Sequence, residues 1–153
     1  MLDDLRELYQ EVILDHGKNP RNHRHPAEAN KHAHGYNPMC GDTVTVHLTV
    51  DPEGTIRDVA FEGKGCAISM ASASLMTETL KGRSAAEARA LFQKFQRLCT
   101  SDEVELSEVD DDALERLQVL SGVRAFPMRV KCATLAWHTL NAALEGRDET
   151  STE

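Results

Sequence analysis

Thr43-Val44-Thr45-Val46-His47-Leu48-Thr49-Val50 alternates polar and apolar residues, and the alternation resumes at Ile56-Arg57-Asp58-Val59-Ala60-Phe61-Glu62. A period of two with many β-branched side chains predicts strands with one buried face. Asp51-Pro52-Glu53-Gly54 between them has turn chemistry, so the pair reads as an antiparallel hairpin. Two strands alone are marginal in water, and the sheet needs a third. Residues 29–36 are the best candidate for it. From Ala67 onward the pattern becomes helical and stays so.

The helices follow from spacing and punctuation. Leu5, Leu8, Tyr9, Val12 and Ile13 recur at helical intervals and predict a helix over 3–16, stopped at His16-Gly17. A second helix spans 67–80 and closes at Gly82. Ser84 is a natural N-cap for a third over 85–98. A shorter helix is expected over 110–120. Pro127 suits the first turn of a last helix, along which Val130, Ala133, Trp137, Leu140 and Leu144 form an apolar stripe. The order predicts an α+β fold, a small three-stranded antiparallel sheet packed against about five helices. One domain is expected over 1–146, with a polar, disordered tail over 147–153.

The chain has 153 residues, of which 41% are hydrophobic, enough for one globular core. A formal net charge of −8 disfavours non-specific nucleic-acid binding. No apolar run approaches the roughly 20 residues of a membrane span. Met1-Leu2-Asp3-Asp4-Leu5 has neither the basic start nor the apolar stretch of a signal peptide. A cytoplasmic protein with reduced thiols is therefore expected.

Three of the four cysteines stand at the edges of predicted elements, beside glycines or basic residues. Cys40 lies in Asn37-Pro38-Met39-Cys40-Gly41-Asp42. In extended backbone Cys40 and Asp42 would project to one side, with Gly41 leaving room; a turn with a stray thiol explains the tripeptide equally well. Cys66 follows Gly63-Lys64-Gly65 and opens a helix, where the dipole favours a thiolate; a small buried helix-start residue is the plain alternative. Cys132 lies in Arg129-Val130-Lys131-Cys132, where Arg129 and Lys131 favour the thiolate, although a core-edge cysteine would look the same. Together, three thiolates and Asp42 would complete a tetrahedral zinc site, with Arg129 and Lys131 offsetting its negative charge. Cys99 shares an apolar helical face with Ala88, Leu91, Phe92 and Phe95 and reads as core packing. His23, His25, His32 and His34 form two i, i+2 pairs in a polar loop and an edge strand, which we read as no dedicated metal site. His138, beside Trp137, reads as structural.

At these motifs the chain resembles the SufU/IscU family of iron–sulfur cluster assembly proteins. The resemblance rests on Tyr9, Asp15-His16-Gly17-Lys18-Asn19-Pro20-Arg21-Asn22, Asn37-Pro38-Met39-Cys40-Gly41-Asp42, Gly65-Cys66-Ala67-Ile68-Ser69-Met70-Ala71-Ser72-Ala73-Ser74 and Phe126-Pro127-Met128-Arg129-Val130-Lys131-Cys132-Ala133. Lys131 stands where IscU-type scaffolds carry a histidine, and the acidic stretch 101–112 resembles a SufU-type insertion. The resemblance implies one Zn²⁺ per chain on Cys40, Asp42, Cys66 and Cys132. It implies a zinc-dependent sulfurtransferase in which Cys40 accepts persulfide sulfur from a SufS-type, pyridoxal-phosphate-dependent cysteine desulfurase. A histidine of that partner would replace Cys40 on the metal, and a SufBCD-type scaffold would receive the sulfur. Two other readings remain: a scaffold assembling a [2Fe–2S] cluster on the same thiols, and a non-catalytic zinc-binding module.

Overall fold

The computed structural model describes residues 2–38, 40–100 and 116–151, with side chains from residue 9 onward. The elements run α1 (Leu2–Lys18), β1 (Lys31–Asn37), β2 (Asp42–Val50), β3 (Ile56–Lys64), α2 (Ala67–Leu80), α3 (Ala85–Thr100), a 3₁₀ helix η1 (Gln118–Ala125), α4 (Pro127–Leu144) and β4 (Glu149–Ser151). The α+β class is as expected. The helix expected over 110–120 falls largely outside the described residues, and its last positions lie in the 3₁₀ turn of η1.

The sheet has the order β3-β2-β1-β4, with β2 antiparallel to both β1 and β3 and β4 parallel to β1. It is therefore four-stranded and mixed where the sequence predicted three antiparallel strands. The fourth strand comes from the tail expected to be disordered. Glu149-Thr150-Ser151 is short and polar, and its pairing rests on main-chain bonds to β1's edge that carry no hydrophobic signature. The His34 amide donating to the Asp148 carbonyl at 2.8 Å starts that pairing. The β2–β3 turn is built by Asp51, whose Oδ1 accepts from the amides of Glu53 and Thr55 at 3.1 and 2.9 Å.

One face of the sheet, with Ala33, Val44, Val46, Leu48, Val59 and Phe61, packs against the helices. Buried residues recur all around α2, so no amphipathic stripe marks it, and it packs between α1, α4 and β3. Its small side chains allow close helix contact, and its hydroxyls are paired. The buried Trp137 indole donates to Ser72 Oγ at 3.1 Å, and Ser72 donates to the Ala133 carbonyl. This links α2 to α4, the helices that carry Cys66 and Cys132. On the other side Ser74 Oγ accepts the Arg21 amide at 2.8 Å and lies 2.7 Å from His16 Nδ1. The Asn22 side chain reaches Thr77 Oγ1 at 3.0 Å, and Arg21 pairs with Asp15 at 2.7 Å. The segment Asp15–Asn22 thus docks the end of α1 onto α2.

Ser72→Ala would leave the buried indole N–H without its acceptor and is expected to lower unfolding free energy by about 1–3 kcal/mol, read from urea denaturation.

Burial is the main cause lowering the pKa of His16, His47 and His138 below the usual histidine value. Around pH 6 the unfolded chain therefore binds more protons at these positions than the folded chain. Stability from them is complete at and above neutrality and falls as pH drops below about 6.5. Urea midpoints should decrease from neutral to mildly acidic pH, and His16→Asn should reduce that slope.

Candidate metal centre

Cys40, Asp42 and Cys132 come together at one end of the sheet, on its helix-facing side. Their Sγ and carboxylate oxygen atoms all lie within 4.8 Å of one another. Cys40 follows the end of β1 in a turn whose amides at Cys40 and Gly41 donate to the Asn37 carbonyl at 3.2 and 2.9 Å. Gly41 has φ +72°, a left-handed conformation that a side chain disfavours. Gly41 thus serves by its backbone angle; the expected role of leaving room is not seen, since nothing among the described residues lies within 4 Å of a Cβ placed there. Cys40 and Asp42 share the site through this turn and not through extended alternation.

Asp42 opens β2 and is 1% exposed. Its Oδ1 accepts the Cys66 amide at 2.9 Å, and its Oδ2 accepts Asn37 Nδ2 at 3.3 Å. A Cβ on Gly65 would sit 2.8 Å from Asp42 Cγ, so only glycine lets the carboxylate reach that amide. Asn37, fully buried, also approaches Cys132 Sγ with Nδ2 at 3.5 Å. The sequence alone marks no role for Asn37; its place beside Asp42 comes from their pairing at the end of the β1–β2 ladder.

Cys132 is fully buried, and its thiol donates toward Cys40 Sγ at 3.6 Å. Burial pushes this thiol well above its usual range, with hydrogen bonding to Asp42 and Cys40 and the charge of Cys66 adding to the shift. With protein groups alone, burial and acidic neighbours outweigh the basic flank that sequence reasoning expected to favour the thiolate. Arg129 nevertheless lies against the thiols, its own pKa raised by Cys66 and Cys132. Lys131 is half-buried on α4, and among the described residues no hydrogen bond or ion pair joins it to them. Cys66 is half-buried at the α2 N-cap, makes no side-chain capping bond, and interacts with Cys132 and Arg129. Its thiol falls outside the 4.8 Å group. Cys99 is fully buried in the core, where burial pushes its thiol up to about 12.

The donor set fits a thiophilic, tetrahedral ion. Zn–S bonds of about 2.3 Å put two thiolates about 3.8 Å apart on a tetrahedral edge, close to the 3.6 Å between Cys40 and Cys132. Beside the thiols an apolar cleft of about 410 Å³ is lined by Ile13, Ile68, Val123, Phe126 and Arg129, and Phe126 is 63% exposed.

The profile of the NifU-like N-terminal domain family matches residues 8–133. The chain is 41% identical over 138 residues to a zinc-dependent sulfurtransferase SufU of Bacillus subtilis, covering 90% of this chain and 89% of that one. It is 38% identical over 144 residues to an iron–sulfur cluster assembly scaffold protein IscU of Streptococcus pyogenes, covering 94% and 87%. The fold matches, with TM-score 0.80 and 36% identity, a crystal structure from Fervidobacterium islandicum described as a candidate iron–sulfur cluster assembly scaffold for the SUF system; the match covers 90% of this chain and 97% of that one.

Asn37→Ala and Gly65→Ala both disturb the Asp42 carboxylate without replacing a candidate ligand. In a titration of metal-free protein with Zn²⁺, each is expected to bind the added ion about 10–100-fold more weakly than the unmodified chain.

Proposed function

This chain belongs to the NifU-like N-terminal domain family, and from that premise we propose that it is a zinc-dependent sulfurtransferase of iron–sulfur cluster assembly. The observation that carries the reading is the exposed Cys40 thiol, 3.6 Å from the buried Cys132 and grouped with Asp42. Cys40, Asp42, Cys66 and Cys132 would hold one Zn²⁺, with the Cys66 side chain turning inward from the start of α2. Bound zinc would keep the thiols deprotonated and guard them against oxidation.

Cys40 is the accepting residue because it alone of the three is exposed. Its thiolate attacks the terminal sulfur of a persulfide carried by a SufS-type cysteine desulfurase. The sulfur–sulfur bond on the donor breaks, a new one forms on Cys40, and the donor cysteine leaves as a thiolate. No net oxidation or reduction occurs. Arg129 beside the thiols favours the anionic groups in this exchange. The exposed apolar rim at Phe126 and Met128 suits a protein partner docking next to Cys40. The persulfidated Cys40 then passes its sulfur to a SufBCD-type scaffold.

The likeness to IscU favours a second reading, assembly of a [2Fe–2S] cluster on the same thiols. Against it, Asp42 is a poor cluster ligand, and a charged Lys131 cannot ligate iron.

Elemental analysis of anaerobically purified protein should find about one zinc per chain and no stoichiometric iron. After incubation with a SufS-type desulfurase and L-cysteine, mass spectrometry should place the added sulfur on Cys40. Cys40→Ser should abolish stimulation of desulfurase turnover, and Cys99→Ala should leave it nearly intact. Stoichiometric iron, or persulfide chiefly on Cys132 with an active Cys40→Ser variant, would sink the reading.

A further inference from the structure

On the outer face of the sheet, away from the cysteines, a second group of donors converges. His25, His32 and His47 bring one ring nitrogen each to within 4.8 Å of the others. They come from separate segments: His25 from the α1–β1 connection, His32 from β1 and His47 from β2. His32 and His47 are directly paired across the ladder. His47 points away from the core and is still only 3% exposed, because His25 stacks on it with ring centroids 4.0 Å apart and planes 6° from parallel.

The placement of His25 is built. The Phe61 amide donates to the Asn22 carbonyl and the Arg24 amide to the Phe61 carbonyl, both at 3.0 Å, which holds this segment along the free edge of β3. Arg24 grips Asp58 with both terminal guanidinium nitrogens, Nη1 and Nη2, at 2.9 and 2.7 Å. The next residue is thereby delivered over the sheet face.

Glu62 on β3 sets the chemistry of His47. Its Oε1 lies 2.8 Å from His47 Nε2 and 3.4 Å from His25 Nδ1. A carboxylate only accepts, so Nε2 carries the proton and the Nδ1 lone pair of neutral His47 is left facing His32 Nδ1, 2.7 Å away. A carboxylate behind a histidine that turns its other nitrogen toward a shared point is the usual support of a metal-bound imidazole. The two Nδ1 atoms here share one proton, and a metal ion can take that proton's place. Ligands about 2.0–2.1 Å from a tetrahedral zinc stand about 3.3 Å apart, an opening of roughly half an ångström. The exposed His32 can move by that much, and the exposed His25, stacked parallel to His47, has to turn its ring to aim a nitrogen at the shared point.

We propose that His25, His32 and His47 form a three-imidazole site for a divalent first-row transition ion of the zinc, nickel and copper class, with Glu62 as the positioning residue behind His47. Imidazole suits these ions, and oxygen-preferring magnesium or calcium is excluded by the donor set. The two remaining histidines of the segment are engaged elsewhere: His34 Nδ1 with Thr45 Oγ1 at 2.7 Å, His23 Nε2 with the Gly63 carbonyl at 3.2 Å. The site lies on the opposite sheet face from Asp42, and His32 and Asn37 are five positions apart on β1, roughly 17 Å along the strand. It is therefore independent of whatever the cysteines hold.

The test is titration of the purified full-length protein with NiCl₂ near neutral pH, by calorimetry and by nickel X-ray absorption. Variants sharing the same cysteines are compared, so occupancy there cancels. Wild type, His34→Gln and His23→Gln should take up one Ni²⁺ equivalent more than His32→Gln, and that equivalent should have nitrogen and oxygen ligation. His32→Gln and His25→Ala, both at exposed positions, should lose that equivalent while keeping wild-type circular dichroism. Glu62→Gln should weaken it about 10–100-fold. Absence of that histidine-dependent equivalent in wild type, sulfur ligation of the nickel that His32→Gln loses, or equal loss in His34→Gln would overturn the proposal.

Discussion

A buried carboxylate organises this molecule at the end of the sheet where its thiols gather. Asp42 is almost wholly withdrawn from water, where a charge is tolerated only if hydrogen bonds replace its hydration. Those bonds come from the Cys66 amide at the start of α2 and from the Asn37 side chain at the end of β1. One residue thereby joins two strands and the central helix at the point where the thiols meet. The conformation of Gly41 and the absent side chain of Gly65 are both consequences of that arrangement.

The helices supply the rest of the frame. Cys66 and Cys132 sit at the starts of α2 and α4, and the distance between those starts depends on how closely the two helices pack. The Trp137–Ser72–Ala133 relay fixes that contact with directional bonds inside an otherwise apolar core. Such a buried polar link favours one packing over its neighbours, because a slipped helix would leave the indole N–H unsatisfied. The docked segment Asp15–Asn22 holds α2 from the other side, with His16 buried against Ser74.

The two faces of the sheet divide the chemistry by donor type. The helix side gathers thiols and a carboxylate around a buried cysteine whose thiol resists ionisation. A cation there would act against that resistance more strongly than Arg129 can from the surface, since a metal ion is the largest local charge in such a site. The outer side gathers imidazoles, exposed except for His47. Strand alternation makes this separation automatic: successive residues of β1 and β2 point to opposite faces.

Periodicity alone revealed the hairpin, the switch to helices and the limits of α2, because alternation and turn chemistry are local properties. The core role of Cys99 was legible for the same reason, as a position on an apolar helical stripe. Motif identity pointed to Cys40, Asp42, Cys66 and Cys132 as a set. β4 was hidden, since three polar residues added by main-chain bonds leave no pattern. The place of Asn37 between Asp42 and Cys132 was hidden too, as was the assembly of His25 with His47, which are 22 positions apart in the chain. These depend on which residues the strand register and the loop crossing set side by side. Sequence spacing carries the information for one element at a time; only the packed sheet and helices decide which side chains of different elements share a point in space.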